Sequence, residues 1–169
     1  MFTLVRQRDA KDCGPSCLAM IVKHYGGSFN INSIRTDCAL NREGVSLLGI
    51  SKAAEELGFK SVGGRLSFSS LASEALLPCI VHWSQNHFVV VYKVKNQKKG
   101  DCTIYVADPG KGLVSYTKEE FCEHWVSTKT NGEEKGIVLL LEPTNQFYTQ
   151  NDTETVLTQS RMAFLWSYL

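Results

Sequence analysis

The chain lacks a long apolar run. No segment reaches the ~20 consecutive apolar residues that a membrane-spanning helix needs, and residues 1–11 hold no apolar core of signal-peptide length. A charge of one sign is missing too. Eighteen Lys and Arg against seventeen Asp and Glu leave a net charge of +1, so composition makes no case for a nucleic-acid partner. The short basic runs Lys93/Lys95 and Lys98-Lys99 read as a solvated hairpin turn. No internal repeat is visible. Cysteine is not scarce: six occur, at 13, 17, 38, 79, 102 and 122. They could pair arithmetically. However, 169 residues with 43% hydrophobic content supply a core without staples, and nothing marks the chain as secreted. Reduced thiols in a cytosolic compartment are expected. Cys13 and Cys17 lie four apart on one helix face, half of a zinc site. No second close Cys/His pair follows at finger spacing, so no metal is expected and Cys17 reads as core.

Helices come first. Leu18, Ile21, Val22 and Tyr25 recur at helical spacing until Gly26-Gly27, which predicts a helix over 13–25. Asn30–Cys38 predicts a second, and Ser46 caps a third that Gly58 stops. Phe59–Leu66 reads as a strand with Gly63-Gly64 as a turn, and Phe68–Leu76 as a short helix. From Pro78 the character changes. Cys79–Trp83, His87–Lys95 and Cys102–Ala107 read as strands, with turns at Ser84-Gln85-Asn86 and Asn96–Asp101. Asp108-Pro109-Gly110 breaks the third. Tyr116–Trp125 reads as a helix with a Thr117/Glu120 capping box, and Gly136–Leu141 as a closing strand. A helical half followed by an antiparallel sheet gives α+β. The domain is expected to span 1–145. Residues 146–169 read as a polar linker followed by the apolar run Met162–Leu169. That run is either a short docked helix or, as favoured here, the start of a truncated membrane domain.

The chemistry concentrates at Cys13. Gly14 and Pro15 follow it directly, and proline suits a first helical turn, where the amide it removes has no intrahelical partner. Cys13 therefore lies at a helix N-terminus, where free amides and the dipole favour a thiolate. Gln7, six residues upstream, offers an uncharged donor. Among the histidines, His24 lies about 16 Å along the helix from Cys13 at ~1.5 Å per residue. His124 sits on a later helix, and His82 lies inside a strand. His87, at the edge of Phe88-Val89-Val90-Val91-Tyr92, is best placed by elimination. A rim histidine with one ordinary hydrogen bond fits the same position. Asp108 ends the neighbouring strand, so His87 and Asp108 become cross-strand neighbours at the open end of a hairpin. A turn-forming Asp before Pro also fits. The conjunction of a helix-start Cys, a His–Asp pair and an upstream Gln favours nucleophilic catalysis.

Gln7…Asp12-Cys13-Gly14-Pro15-Ser16-Cys17-Leu18, then Asn86-His87-Phe88-Val89-Val90, then Ala107-Asp108-Pro109 resemble the bacteriocin-processing peptidases. These are papain-like cysteine peptidase domains at the N-terminus of peptidase-containing ABC exporters, and the resemblance covers residues 1–145. It implies that the domain cuts leaders from bacteriocin-type precursor peptides after Gly-Gly or Gly-Ala, on the cytoplasmic side of a bacterial plasma membrane. It implies Cys13 as nucleophile, His87 as base, Asp108 as its orienting partner, and Gln7 in the oxyanion hole. It further implies an apolar groove for a helical leader, sought near Ile34, Leu47, Leu48 and Leu71. No cofactor is expected for the peptidase, and ATP only for a transporter part joined to it with membrane spans. The polar segment Lys93–Asp101 and the insert Ser127–Lys135 depart from the pattern as loop extensions. Two alternatives remain: a non-catalytic leader-docking domain of the same fold, and another papain-like acyl-transfer enzyme.

Overall fold

The computed structural model describes residues 1–38, 46–84, 86–98 and 100–151. Three helices open the chain: α1 (Cys13–His24), α2 (Ile31–Asp37) and α3 (Leu47–Glu56). The Asn30 side chain accepts from the Asn32 and Ser33 amides at the start of α2, and Ser46 from the Gly49 amide at the start of α3. Then follow β1 (Phe59–Ser67), α4 (Phe68–Ser73), β2 (Cys79–Trp83), β3 (His87–Asn96), β4 (Cys102–Asp108) and β5 (Gly112–Thr117). The described chain closes with α5 (Lys118–Trp125), β6 (Val126–Thr130), β7 (Glu133–Pro143) and α6 (Asn145–Gln150).

The strands form one antiparallel sheet in the order β1-β7-β2-β3-β4-β5, with β6 paired to β7. Strand side chains alternate between faces. Ile80, Val90, Leu139 and Leu141 accordingly join a core with Leu18 and Ile21 of α1, Ile34 of α2 and Ile50 and Ala53 of α3. Val81, Val89, Val91, Val138 and Leu140 join a second core with Leu71 of α4 and Phe121 and Trp125 of α5. The α+β expectation holds, as a sheet covered on both faces.

Several boundaries differ from the sequence reading. Gly63 and Gly64 are not a turn; they lie mid-strand in β1, paired with Leu139 and Val138. Gly112–Thr117 is an additional edge strand, so α5 begins at Lys118 with the expected Thr117/Glu120 box. Ser127–Lys135 is no loose extension. Asn131 and Gly132 both take positive φ and close a hairpin between β6 and β7, the pairing that such a turn favours.

The linker expected from Gln146 does not hold through Asn151. Phe147 is fully buried against Phe59, with ring centroids 4.7 Å apart. Gly58, at φ +95°, lies beneath it, and a Cβ there would stand 2.5 Å from the Phe147 amide nitrogen. Asn151 accepts from the Ser28 amide at 3.0 Å. An apolar ring in a polar stretch thus anchors the segment to the helical layer. The apolar run Met162–Leu169 lies outside the described residues, as do Gln85 of the expected turn and Lys99.

Candidate active site

Helix α1 packs on β3, and this contact brings the chemistry together. Cys13 opens α1 and is 5% exposed. Asp12 precedes it as N-cap, with its carbonyl accepting the first helical bond from the Ser16 amide at 2.9 Å. Pro15 falls in the first turn, where its missing amide costs nothing. One turn on, Cys17 is completely buried, and its thiol donates to the Phe88 carbonyl at 3.3 Å. Burial, reinforced by negative charge at Cys13 and Asp108, pushes the Cys17 thiol well above its ordinary range. Cys17 therefore stays protonated and ties α1 to the strand beginning at His87. It is core, as expected, and the six cysteines are free thiols.

His87 and Asp108 meet at the rim. Val90 pairs with Ala107, and extending that register sets Asp108 opposite Val89, two residues along from His87. The two are diagonal neighbours rather than directly opposed, still within reach for long side chains. His87 Nε2 lies 2.8 Å from Asp108 Oδ1, which also accepts from the Gly110 amide at 2.8 Å. Cys13 lies near enough to His87 to favour the charged imidazole as well. Burial acts to lower the imidazolium's pKa, but hydrogen bonding and charge from Asp108 and Cys13 outweigh it. The result is a His87 pKa raised from 6.5 to about 9. Asp108 is 2% exposed; burial acts to raise its carboxyl, yet His87, the Gly110 amide and Lys111 hold it below the usual range. His87 is thus protonated at neutral pH beside the Asp108 carboxylate.

Gln7 is brought to the same loop. Its backbone amide donates to the Pro109 carbonyl at 3.0 Å, and a Cβ on Gly110 would stand 3.5 Å from its Oε1 and 3.4 Å from Asp108 Oδ1. Nε2 donates to the Asp9 carbonyl at 3.0 Å. Nε2 carries two hydrogens, so one remains to give. Oε1 is buried without a hydrogen-bond partner among the described residues.

Sequence reasoning missed Arg35. Its Nε stands 2.8 Å from the buried Asp12 Oδ1, and its terminal nitrogen 3.9 Å from Asp9 Oδ2. The signal available was an Asp directly before the nucleophile, a position that asks for a cation once buried. The other histidines lie elsewhere: His24 against Phe2 and Tyr25, His82 against Phe88, and His124 stacked on Trp83 and bonded to Ser84.

Of the four residues expected to line a groove, the structure sets Leu47 and Leu48 on one cleft. A cleft of about 450 Å³ lies between α3 and the β1/β7 edge, lined by Leu47, Leu48, Ser51, Gly63, Gly64, Arg65, Ile137 and Leu139. Leu48 is 65% exposed there. Gly63, with Leu47 Cδ2 only 3.4 Å from where a Cβ would sit, keeps the floor open. Ile34 and Leu71 are not part of it. Both are buried, in opposite cores, because each is the apolar anchor that seats its own short helix.

The Peptidase C39 family model matches residues 1–145. The chain belongs to the Peptidase C39 family. Among curated relatives it is 37% identical over 130 residues to the Lactococcin-G-processing and transport ATP-binding protein LagD of Lactococcus lactis, covering 74% of this chain and 18% of that protein. It is 30% identical over 148 residues to the colicin V secretion/processing ATP-binding protein CvaB of Escherichia coli, covering 87% and 19%. The chain therefore spans about a fifth of the length of these relatives. Among solved structures it resembles a double glycine motif protease from an AMS/PCAT transporter, in complex with the leader peptide. That match has a TM-score of 0.71 at 33% identity, over 84% of this chain and 91% of that one. The peptidase domain of Streptococcus ComA superposes with a TM-score of 0.70 at 30% identity, over 85% and 100%. As a C39 domain the chain is a cysteine peptidase of papain-like fold, with a helical layer and an antiparallel sheet.

Proposed function

We propose that this C39 domain cuts the leader from bacteriocin-type precursor peptides after Gly-Gly or Gly-Ala. Cys13 acts as nucleophile, His87 as acid/base, Asp108 as orienting anion and Gln7 as oxyanion donor. The observation that carries the roles is the 2.8 Å bond from His87 to buried Asp108, with the helix-start Cys13 acting on the same imidazole. The likeness to a double glycine motif protease bound to a leader supports the substrate.

In this reading Cys13 reacts as the thiolate, its proton having passed to His87. The Cys13 sulfur adds to the scissile carbonyl, and negative charge develops on the carbonyl oxygen. The second Nε2 hydrogen of Gln7 and the Cys13 backbone amide donate to it. As the C–N bond breaks, His87 gives its proton to the leaving amine, which departs as the mature peptide's new N-terminus. Neutral His87 then takes a proton from water, whose oxygen attacks the thioester, and the leader leaves with a new carboxylate. Asp108 holds the ring throughout by accepting at Nε2. Glycines at the cut have no β-carbon, which suits a site walled by Cys13, Gln7 and the Pro109-Gly110 turn. The same reading places a helical leader in the cleft by Leu47 and Leu48, with its apolar positions at i, i+3, i+4 and i+7. It places the domain on the cytoplasmic side of a plasma membrane, joined to transmembrane and ATPase domains that couple cleavage to export. ATP would serve those domains, and the peptide chemistry draws on side chains alone.

The test is cleavage of a precursor with a Gly-Gly junction, followed by mass spectrometry. The wild-type chain should release leader and mature peptide, and Cys13→Ala should abolish release while still binding the leader. Turnover retained in Cys13→Ala and lost in Cys17→Ala would reject the assignment. A non-catalytic docking domain would have no use for the Cys13–His87–Asp108 alignment. Release to added amines in place of water would mark a transferase.

A further inference from the structure

The segment between Gln7 and Cys13 is folded on itself. The Asp9 carbonyl accepts from the Asp12 amide at 3.2 Å and from Gln7 Nε2 at 3.0 Å, and the Asp9 carboxylate accepts from the Lys11 amide at 2.8 Å. One turn thus fixes where the Gln7 amide lies relative to the start of α1. This turn has little apolar anchorage of its own, since residues 8–11 are exposed. It is held from outside by Arg35 on α2. Nε stands 2.8 Å from the Asp12 carboxylate, which is 2% exposed, as an ion pair without hydrogen-bond alignment, and the terminal nitrogen lies 3.9 Å from Asp9. A planar guanidinium spanning two carboxylates holds both at a set separation, which a single ammonium cannot do.

We propose that Arg35 is a positioning residue for the oxyanion side of the site: by clamping Asp9 and Asp12 it sets the Gln7 amide against the carbonyl that Cys13 attacks. This rests on the reading of Gln7 as oxyanion donor. Arg35 touches no reacting atom. Its effect belongs to the step in which negative charge forms on the carbonyl oxygen, and not to leader binding or to the nucleophilicity of the sulfur.

The experiment compares Arg35→Met, Arg35→Lys, Gln7→Ala and the double variant Gln7→Ala/Arg35→Met. The substrate is a Gly-Gly precursor peptide. Iodoacetamide alkylation is followed in parallel on the Cys13 peptide by mass spectrometry. Arg35→Met should lower kcat about tenfold or more, short of the ~10²-fold expected for removing an oxyanion donor outright. KM should stay within about twofold. Alkylation should also stay within about twofold, because displacement of iodide forms no oxyanion. Arg35→Lys should recover part of kcat. The double variant should lose no more than Gln7→Ala alone. Should Arg35→Met fail to fold around an unpaired Asp12, Asp12→Asn/Arg35→Met removes both charges and should show the same kcat loss. Losses that multiply, a rise in KM alone, or an unchanged kcat would overturn the role of Arg35. An unchanged kcat in Gln7→Ala by itself would overturn the oxyanion reading instead, and this role with it.

Discussion

Asp108→Asn isolates the charge behind the imidazole. Asparagine keeps an oxygen that can accept from both His87 and the Gly110 amide, each now 2.8 Å from Oδ1, so the geometry survives. What goes is the anion that helps raise His87 to about 9 against its ordinary 6.5. At about pH 7.5 a group at 9 is ~97% protonated, and one returned to 6.5 is ~9% protonated. The imidazolium population therefore falls by up to about tenfold, less whatever Cys13 alone still holds. Iodoacetamide alkylation of Cys13, measured from about pH 5 to 10, reads the thiolate that pairs with this imidazolium. The variant should alkylate up to tenfold more slowly near neutrality, because fewer Cys13 sulfurs then face a protonated imidazole. Cleavage of a Gly-Gly precursor should drop further, because the amide can also present its NH₂ and hold the ring in the wrong tautomer. Alkylation within twofold of wild type across that range would refute the claim that Asp108 sustains the charged pair.

Phe147→Ala should cost about 3–5 kcal/mol of unfolding free energy, the usual toll for emptying a buried phenylalanine site, and lower Tm. A purely linker role for the segment after Pro143 predicts no change. Leu48→Asp puts a charge at the mouth of the cleft between α3 and β1, and should raise KM for a precursor at least tenfold with kcat within about twofold. Equal loss in both would show that the cleft supports the fold and not the leader.

Much of the site could be read from order and local chemistry. A proline in the first turn, apolar spacing behind it and a double glycine after it place Cys13 at a helix start without tertiary information. Three strands with polar turns put His87 and Asp108 at one rim. Those are local rules of helix initiation and strand alternation, and they held. Gly63-Gly64 misled because two glycines favour a turn by local entropy, while pairing with β7 along the whole of β1 and the space Leu47 needs override that preference. Asn131-Gly132 was legible as a hairpin and was passed over. Phe147 and Tyr148 stand as one pair of rings in a polar stretch, with no periodicity to betray their burial.

The sequence by itself determined where the proposed nucleophile, base and orienting anion lie, because each is tied to an element end that local propensity specifies. The tertiary structure alone decided how far apart they stand and what holds them. The diagonal offset of His87 and Asp108 follows from strand register. The protonation of His87 follows from the carboxylate of Asp108 beside it, against the effect of its burial. The Arg35 clamp follows from α2 packing beside α1. Each depends on groups distant in the chain meeting at ångström distances in a poorly solvated place, and no local pattern records that meeting.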